Sequence, residues 1–297
     1  TLRIGQTGMM DEMLQSLSQS QLSSDTVEDG FKTYMTRFEE IANLKVIGGY
    51  HDSVTDQYGL TYIIGRAANG DYYWRSADIG KMANGTLPAN AWREWTKISV
   101  AISAVNDLVR PVIFESRLHI CWVESREISV TSGSTTTQSI QYQLKYAHIQ
   151  HDGTWSAPVS MIPAKNILPP NNIPINATGM YCGCDRYNGQ LYIFFHEKLA
   201  SYSSNFSNIS GVRIFADGSV EELAGAEVRD LSRPVFSQLS TTSAVLLNSR
   251  YGGADINVSA LSKIGYEWGD FGYSIMNGST ISPVSAALKD DGMVVFT

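Results

Sequence analysis

Charge is scarce in this chain. Only 17% of its 297 residues are Asp, Glu, Lys or Arg, against 10% aromatics. That balance excludes a disordered or coiled-coil chain, which would carry more charge and fewer rings. The formal net charge is −7 and no basic block occurs, which argues against nucleic acid or an anionic membrane as partner. No run of 18 apolar residues is present, so no helical bilayer span is expected, and no signal peptide is legible. Three cysteines, Cys121, Cys182 and Cys184, are too few for a disulfide scaffold. Their odd number points to folding in a reducing cytoplasm, whatever the later destination. Six glycosylation sequons, Asn84-Gly-Thr86 among them, carry little weight, since many arise by chance in an Asn- and Ser-rich chain. Thr1 at the start and the strand-like Met293–Phe296 at the end read as a piece of a longer polypeptide.

What is present changes character near residue 44. Before it, Met9, Met10, Met13, Leu14 and Leu17 recur at helical spacing. Ser23 to Thr26 then offer capping side chains ahead of a second helix. In that helix Val27, Phe31, Tyr34, Met35, Phe38, Ile41 and Ala42 form one apolar stripe. Such a stripe needs a partner, either the β region or a helical domain upstream. After residue 44 the period drops from 3.6 to 2. Strands are expected at 60–64, 72–75, 111–114, 118–123, 141–149, 191–196, 212–215, 244–247 and 293–296. Asn69-Gly70, Asp152-Gly153, Asn188-Gly189, Asp217-Gly218 and Asp291-Gly292 separate them as hairpin turns. The prolines of 162–174 mark a long extended connection. The polar stretch Ser132–Thr137 tips a projecting hairpin. Arg117–Glu124 and Gln190–Glu197 are copies of one pattern, with poorer copies at Gly59–Tyr62 and Gly292–Phe296. Repeats fifty to seventy residues apart fit propeller blades, and a sandwich with long loops fits as well. The expected fold is therefore mainly β and antiparallel, propeller-like or sandwich, with an N-terminal helical segment. The helical segment covers 1–43 and the β domain 44–297, with a further β module after about 230 left open.

Long words of this sequence resemble the A subunits of the bacterial insecticidal toxin complexes (Tc toxins). They include Phe38–Asp52, Tyr72–Ser76, Ala91–Ile98, Arg110–Ile113, Ser116–Leu118, Trp122–Glu124, Ala147–Ile149, Asp152–Trp155 and Gly265–Asp270. The resemblance implies the end of a helical shell domain entering a neuraminidase-like β domain. It implies a secreted toxin and a homopentamer of A-subunit protomers around a channel, whose shell opens on a pH change. A B–C cocoon and host receptors or glycans would be met largely through other regions, and membrane contact would come only through other regions.

Thirteen Arg and fifteen Tyr could supply a sialidase's arginine triad and Tyr–Glu pair by number alone, so counting excludes nothing. Ile149–Trp155 resembles a sialidase Asp-box one residue short, and a second copy is not legible. Such a box is a structural turn, not a catalytic one. Cys182-Gly183-Cys184 puts two thiols on one strand face, without two further ligands for zinc. No cofactor, metal or catalytic residue is expected. The chemistry expected is pH-sensitive closure through His51, His119, His148, His151 and His196, with Asp52, Asp152 and Glu197 directly following three of them. Charge pairing across protomer contacts at neutral pH would be lost in acid. The alternative is a carbohydrate-binding surface that uses Trp92, Trp95 and Trp155, although tryptophan on alternating strands is more often core. An active sialidase ranks behind both.

Overall fold

The computed structural model describes residues 8–19, 23–53, 58–84, 86–161, 173–186, 188–197, 209–223, 253–255, 287–288 and 294–295. The expected strand at 244–247, most of the proline connection, the word Gly265–Asp270 and most of the region after 230 lie outside the described residues.

Two helices come first. Helix α1 (Gly8–Gln19) and α2 (Ser24–Ala42) form where the 3.6 period runs. Ser23 caps α2: its hydroxyl accepts from the Thr26 N–H at 3.2 Å, and the Thr26 hydroxyl accepts from the Ser23 N–H at 2.9 Å. Leu17 of α1 lies against Gly30 of α2. Among the described residues the β region leaves much of the apolar stripe uncovered: Phe31, Met35 and Phe38 stay 56%, 46% and 52% exposed.

The strands form three antiparallel meanders of four. The first is β1 (Lys45–His51), β2 (Leu60–Arg66), β3 (Tyr72–Asp78) and β4 (Thr96–Lys97). The second is β5 (Val109–Phe114), β6 (Arg117–Ser132), β7 (Thr135–His148) and β8 (Val159–Ser160). The third is β9 (Thr178–Asp185), β10 (Gln190–Glu197), β11 (Ile209–Phe215) and β12 (Val220–Glu222). The short β13 (Gly253–Asp255) lies parallel between β1 and β9 and joins the first and third meanders into one sheet. A hairpin of β14 (Ala287–Leu288) and β15 (Val294–Val295) follows. The four repeat copies fall on β2, β6, β10 and β15. The first three are the second strands of their meanders, and β15 is the second strand of its hairpin.

Packing separates the two expected geometries. On β6, Leu118, Ile120 and Trp122 enter a core with Ile47, Ile64, Tyr72 and Trp74 of the first meander. The alternate residues Cys121 and Val123 enter a core with Met180, Cys182, Leu191, Ile193 and Phe195 of the third. The base of the middle meander is therefore buried on both faces. Neighbouring propeller blades pack this way, whereas a two-layer sandwich buries one face of each sheet.

The first strands β1, β5 and β9 meet at the centre, and a glycine permits the approach. A Cβ on Gly48 would sit 2.6 Å from the Val109 carbonyl oxygen and 3.2 Å from the Arg110 side chain. Gly48→Ala is expected to destabilise the fold by about 2–3 kcal/mol through overpacking. Urea unfolding measures this, and an unchanged midpoint would mean that β1 and β5 can separate without cost.

Candidate functional site

Arg110 lies at the convergence of the first strands. Its neighbours on β5 are apolar, so its side chain is enclosed, with 2% exposure. Nε donates to the Met180 carbonyl of β9 at 2.9 Å, and Nη1 donates to the Ile47 carbonyl of β1 at 3.1 Å. Nη1 also reaches the Val109 carbonyl at 2.7 Å. One guanidinium thus ties β1, β5 and β9 together through backbone oxygens. Burial lowers its pKa to about 10, so it stays charged at neutral pH. The adjoining turn adds Asp107, whose carboxylate meets Lys45 at 2.9 Å and Arg66 at 3.0 Å.

Other arginines are committed as well. Arg75 stacks on Trp92, 4.1 Å from the ring centroid, and on Trp95 at 5.3 Å. Burial lowers its pKa to about 10. Arg213 is held by Glu221 at 2.5 Å, and Arg37 is paired with Glu12. These contacts build structure where a sialidase would need guanidinium groups free to clamp a carboxylate. The tryptophans follow suit. Trp122 and Trp74 are core, Trp92 and Trp95 are half-buried around Arg75, and Trp155 packs half-buried on the core of the first two meanders.

The histidines divide into separate sites. His51 ends β1 buried at 3% exposure, its Nδ1 3.0 Å from the hydroxyl of its cross-strand partner Thr61. Asp52 accepts the Leu60 N–H at 2.5 Å and lies 4.0 Å from Arg186. Both therefore make their contacts inside the domain. His196 is opposite Gly179 on β9, and its side chain lies outside the described residues. His151 is exposed on a turn.

His119 and His148 are brought together by the β6–β7 register, with ring centroids 5.3 Å apart. Phe114 and Tyr146 flank His119 at 5.8 and 5.7 Å. Its Nδ1 is 3.0 Å from the Arg117 carbonyl. The Arg117 guanidinium lies 3.4 Å from His148 Nε2. Burial first, then the charges of His148 and Arg117, push the His119 pKa down to about 4, against the backbone contact with the Arg117 carbonyl, which raises it. The His148 pKa is lowered by burial and by Arg117. His119 is therefore neutral at pH 7 and has no charge to pair there. A response of His119 to acid would come from its burial instead of from a broken ion pair.

The Asp-box-like word forms a turn. Gln150 N–H donates to the Thr154 carbonyl at 2.7 Å, and Gly153 N–H to the Gln150 carbonyl at 3.0 Å. The Asp152 carboxylate caps the Thr154 N–H at 2.9 Å and its hydroxyl at 2.6 Å, which lowers its pKa. The same wiring recurs twice among the described residues, at two of the pairs expected as hairpin turns. Phe215–Ser219 repeats it with Asp217 capping Ser219 at 2.8 and 2.6 Å. Ala67–Asp71 repeats it with Asn69 capping the Asp71 N–H at 2.9 Å. The shared signal is Asp or Asn, then Gly, then a residue whose N–H turns back.

Residues 44–178 match the family model described as neuraminidase-like domain. The chain is 35% identical over 165 residues to toxin subunit YenA2 of Yersinia entomophaga, covering 53% of this chain and 12% of that subunit. Its structure is similar to that of Morganella morganii TcdA4, solved by cryo-electron microscopy. The TM-score is 0.65 at 37% identity, over 78% of this chain and 10% of that one. The chain thus spans about a tenth of the length of these relatives.

Proposed function

From the premise that this chain is a region of a Tc toxin A subunit carrying its neuraminidase-like domain, we propose that it is a non-enzymatic module of a toxin shell. It helps close the shell until a pH change opens it. The observation that carries this reading is the match of residues 44–178, together with the likeness to TcdA4 over most of the chain. The committed arginines support a structural role, since Arg110 and Arg75 spend their charge on backbone oxygens and indole rings. The partners are identical copies of the subunit in a homopentamer. The B–C cocoon, the host receptor and the membrane are met by other parts of the parent polypeptide. The parent acts as an extracellular toxin.

The test is negative-stain electron microscopy of the full-length parent protein at neutral and at shifted pH. Five-fold closed particles that open on the shift are the expected result. Monomers indifferent to pH would overturn the reading.

A further inference from the structure

Strands β6 and β7 run far beyond their sheet. β5 covers β6 only at 117–122, and β8 covers β7 only at 145–146. The two strands nevertheless continue in unbroken register for nine more pairs, from Glu124–Gln143 to Ser132–Thr135. At the tip Gly133 takes a left-handed φ of +63°. The result is a two-stranded ribbon about 30 Å long. Residues 125–140 are exposed apart from the half-buried Ile128, and no strand among the described residues lies on either edge. A ribbon of two strands is marginal in water by itself.

Its edges lack the usual protection. Between 124 and 143 there is no Lys, no Pro and no bulge. From Ile128 to Gln143 there is no charge at all, and β6 adds only the neighbouring opposites Arg126 and Glu127 beyond its base. This neutral ribbon is where copies can meet without like charges opposed. Nor does one face invite a partner more than the other. Ile128 and Val130 point to one side, while Ile140 and Tyr142 point to the other, as the strand alternation requires.

We infer that ribbons of neighbouring copies pair edge to edge, β7 of one copy against β6 of the next, closing a ring of strands. The inference rests on the shell reading for the ring of copies. The geometry is consistent with rotational symmetry: ribbons pointing the same way around an axis place each β7 antiparallel to the next β6. A closed ring of this heterologous contact leaves no free edge.

Hydrogen exchange on the assembled full-length parent at neutral pH tests it. Amides at 124–132 and 135–143 that point away from the partner strand of the same hairpin are expected to slow on the order of 100-fold relative to an open edge. If a ring forms and those amides exchange as open edges, the inference falls while the shell reading stands. If no ring forms, the shell reading falls first. A second measurement identifies the occupant. Copies carrying Ser129→Cys are co-assembled with copies carrying Gln138→Cys and treated with a short bis-maleimide. Covalent dimers in the mixture, absent from either variant alone, are expected. Protected amides without mixed dimers would assign the edge to another segment and overturn copy-to-copy pairing.

Discussion

Arg110→Met is expected to lower stability by about 3–5 kcal/mol. Methionine fills much of the volume but donates nothing. The carbonyl oxygens of Met180, Ile47 and Val109, now 2.9, 3.1 and 2.7 Å from guanidinium nitrogens, would be left buried without that donor. Each such loss costs about 1–3 kcal/mol. Replacing a buried ion pair with apolar residues can be neutral because both partners are removed together. Here the acceptors are backbone and remain. Arg110→Lys should recover only part of the loss, since one ammonium cannot reproduce a planar fork reaching three strands. Urea unfolding followed by the buried Trp122 and Trp74 reads the difference. A loss under about 1 kcal/mol would show that the three first strands hold without the guanidinium.

The same centre explains what the sequence could and could not reveal. The second strands were legible because β2, β6 and β10 carry short apolar runs bounded by turn residues. The Asp-Gly and Asn-Gly turns were legible for the same reason. The first strands β1 and β9 were not. Gly48-Gly49 in β1 and Gly179 with Gly183 in β9 dilute the strand pattern. At Gly48 the structure shows that the absent side chain is a requirement of close approach. Arg110 was legible only as part of a family word, because an arginine beside a proline suggests surface. Its burial becomes visible only when β1 and β9 are placed beside it. The wiring that three of these turns share is hidden in the sequence because Ser219 and Asp71 stand where the first copy has Thr154. The His119–His148 pair depends on a register between residues 29 positions apart, which no local pattern encodes. The hairpin tip at 132–137 was read from its polar composition. The length of the ribbon beneath it was not, since the polar residues of 125–140 carry no alternation on which a buried face would insist.

Acid is expected to weaken this fold through His119. In the unfolded chain the imidazole takes its proton near pH 6.5. In the fold, burial delays that uptake to about pH 4. Between those values the unfolded chain binds more protons, so stability is full above about pH 6.5 and falls as pH drops toward 4. The separation amounts to about 3 kcal/mol at its limit, of which about 2–3 kcal/mol is spent between pH 7 and pH 4.5. His148, lowered for the same first reason and by Arg117, adds in the same direction. The groups facing the pair are Phe114, Arg117 and Tyr146, so the nearby charge is positive and opposes a proton. His119→Phe keeps a ring against Phe114 and Tyr146 and removes the titration. Comparing urea midpoints of the two proteins at pH 7 and pH 4.5 cancels the carboxylates common to both. The variant is expected to lose about 2 kcal/mol less on acidification. An equal loss in both would assign the proton uptake to other groups. The pocket lies at the base of β6 and β7, the strands whose far ends form the ribbon. Acid strain would thus enter the meander that carries the inferred copy-to-copy contact.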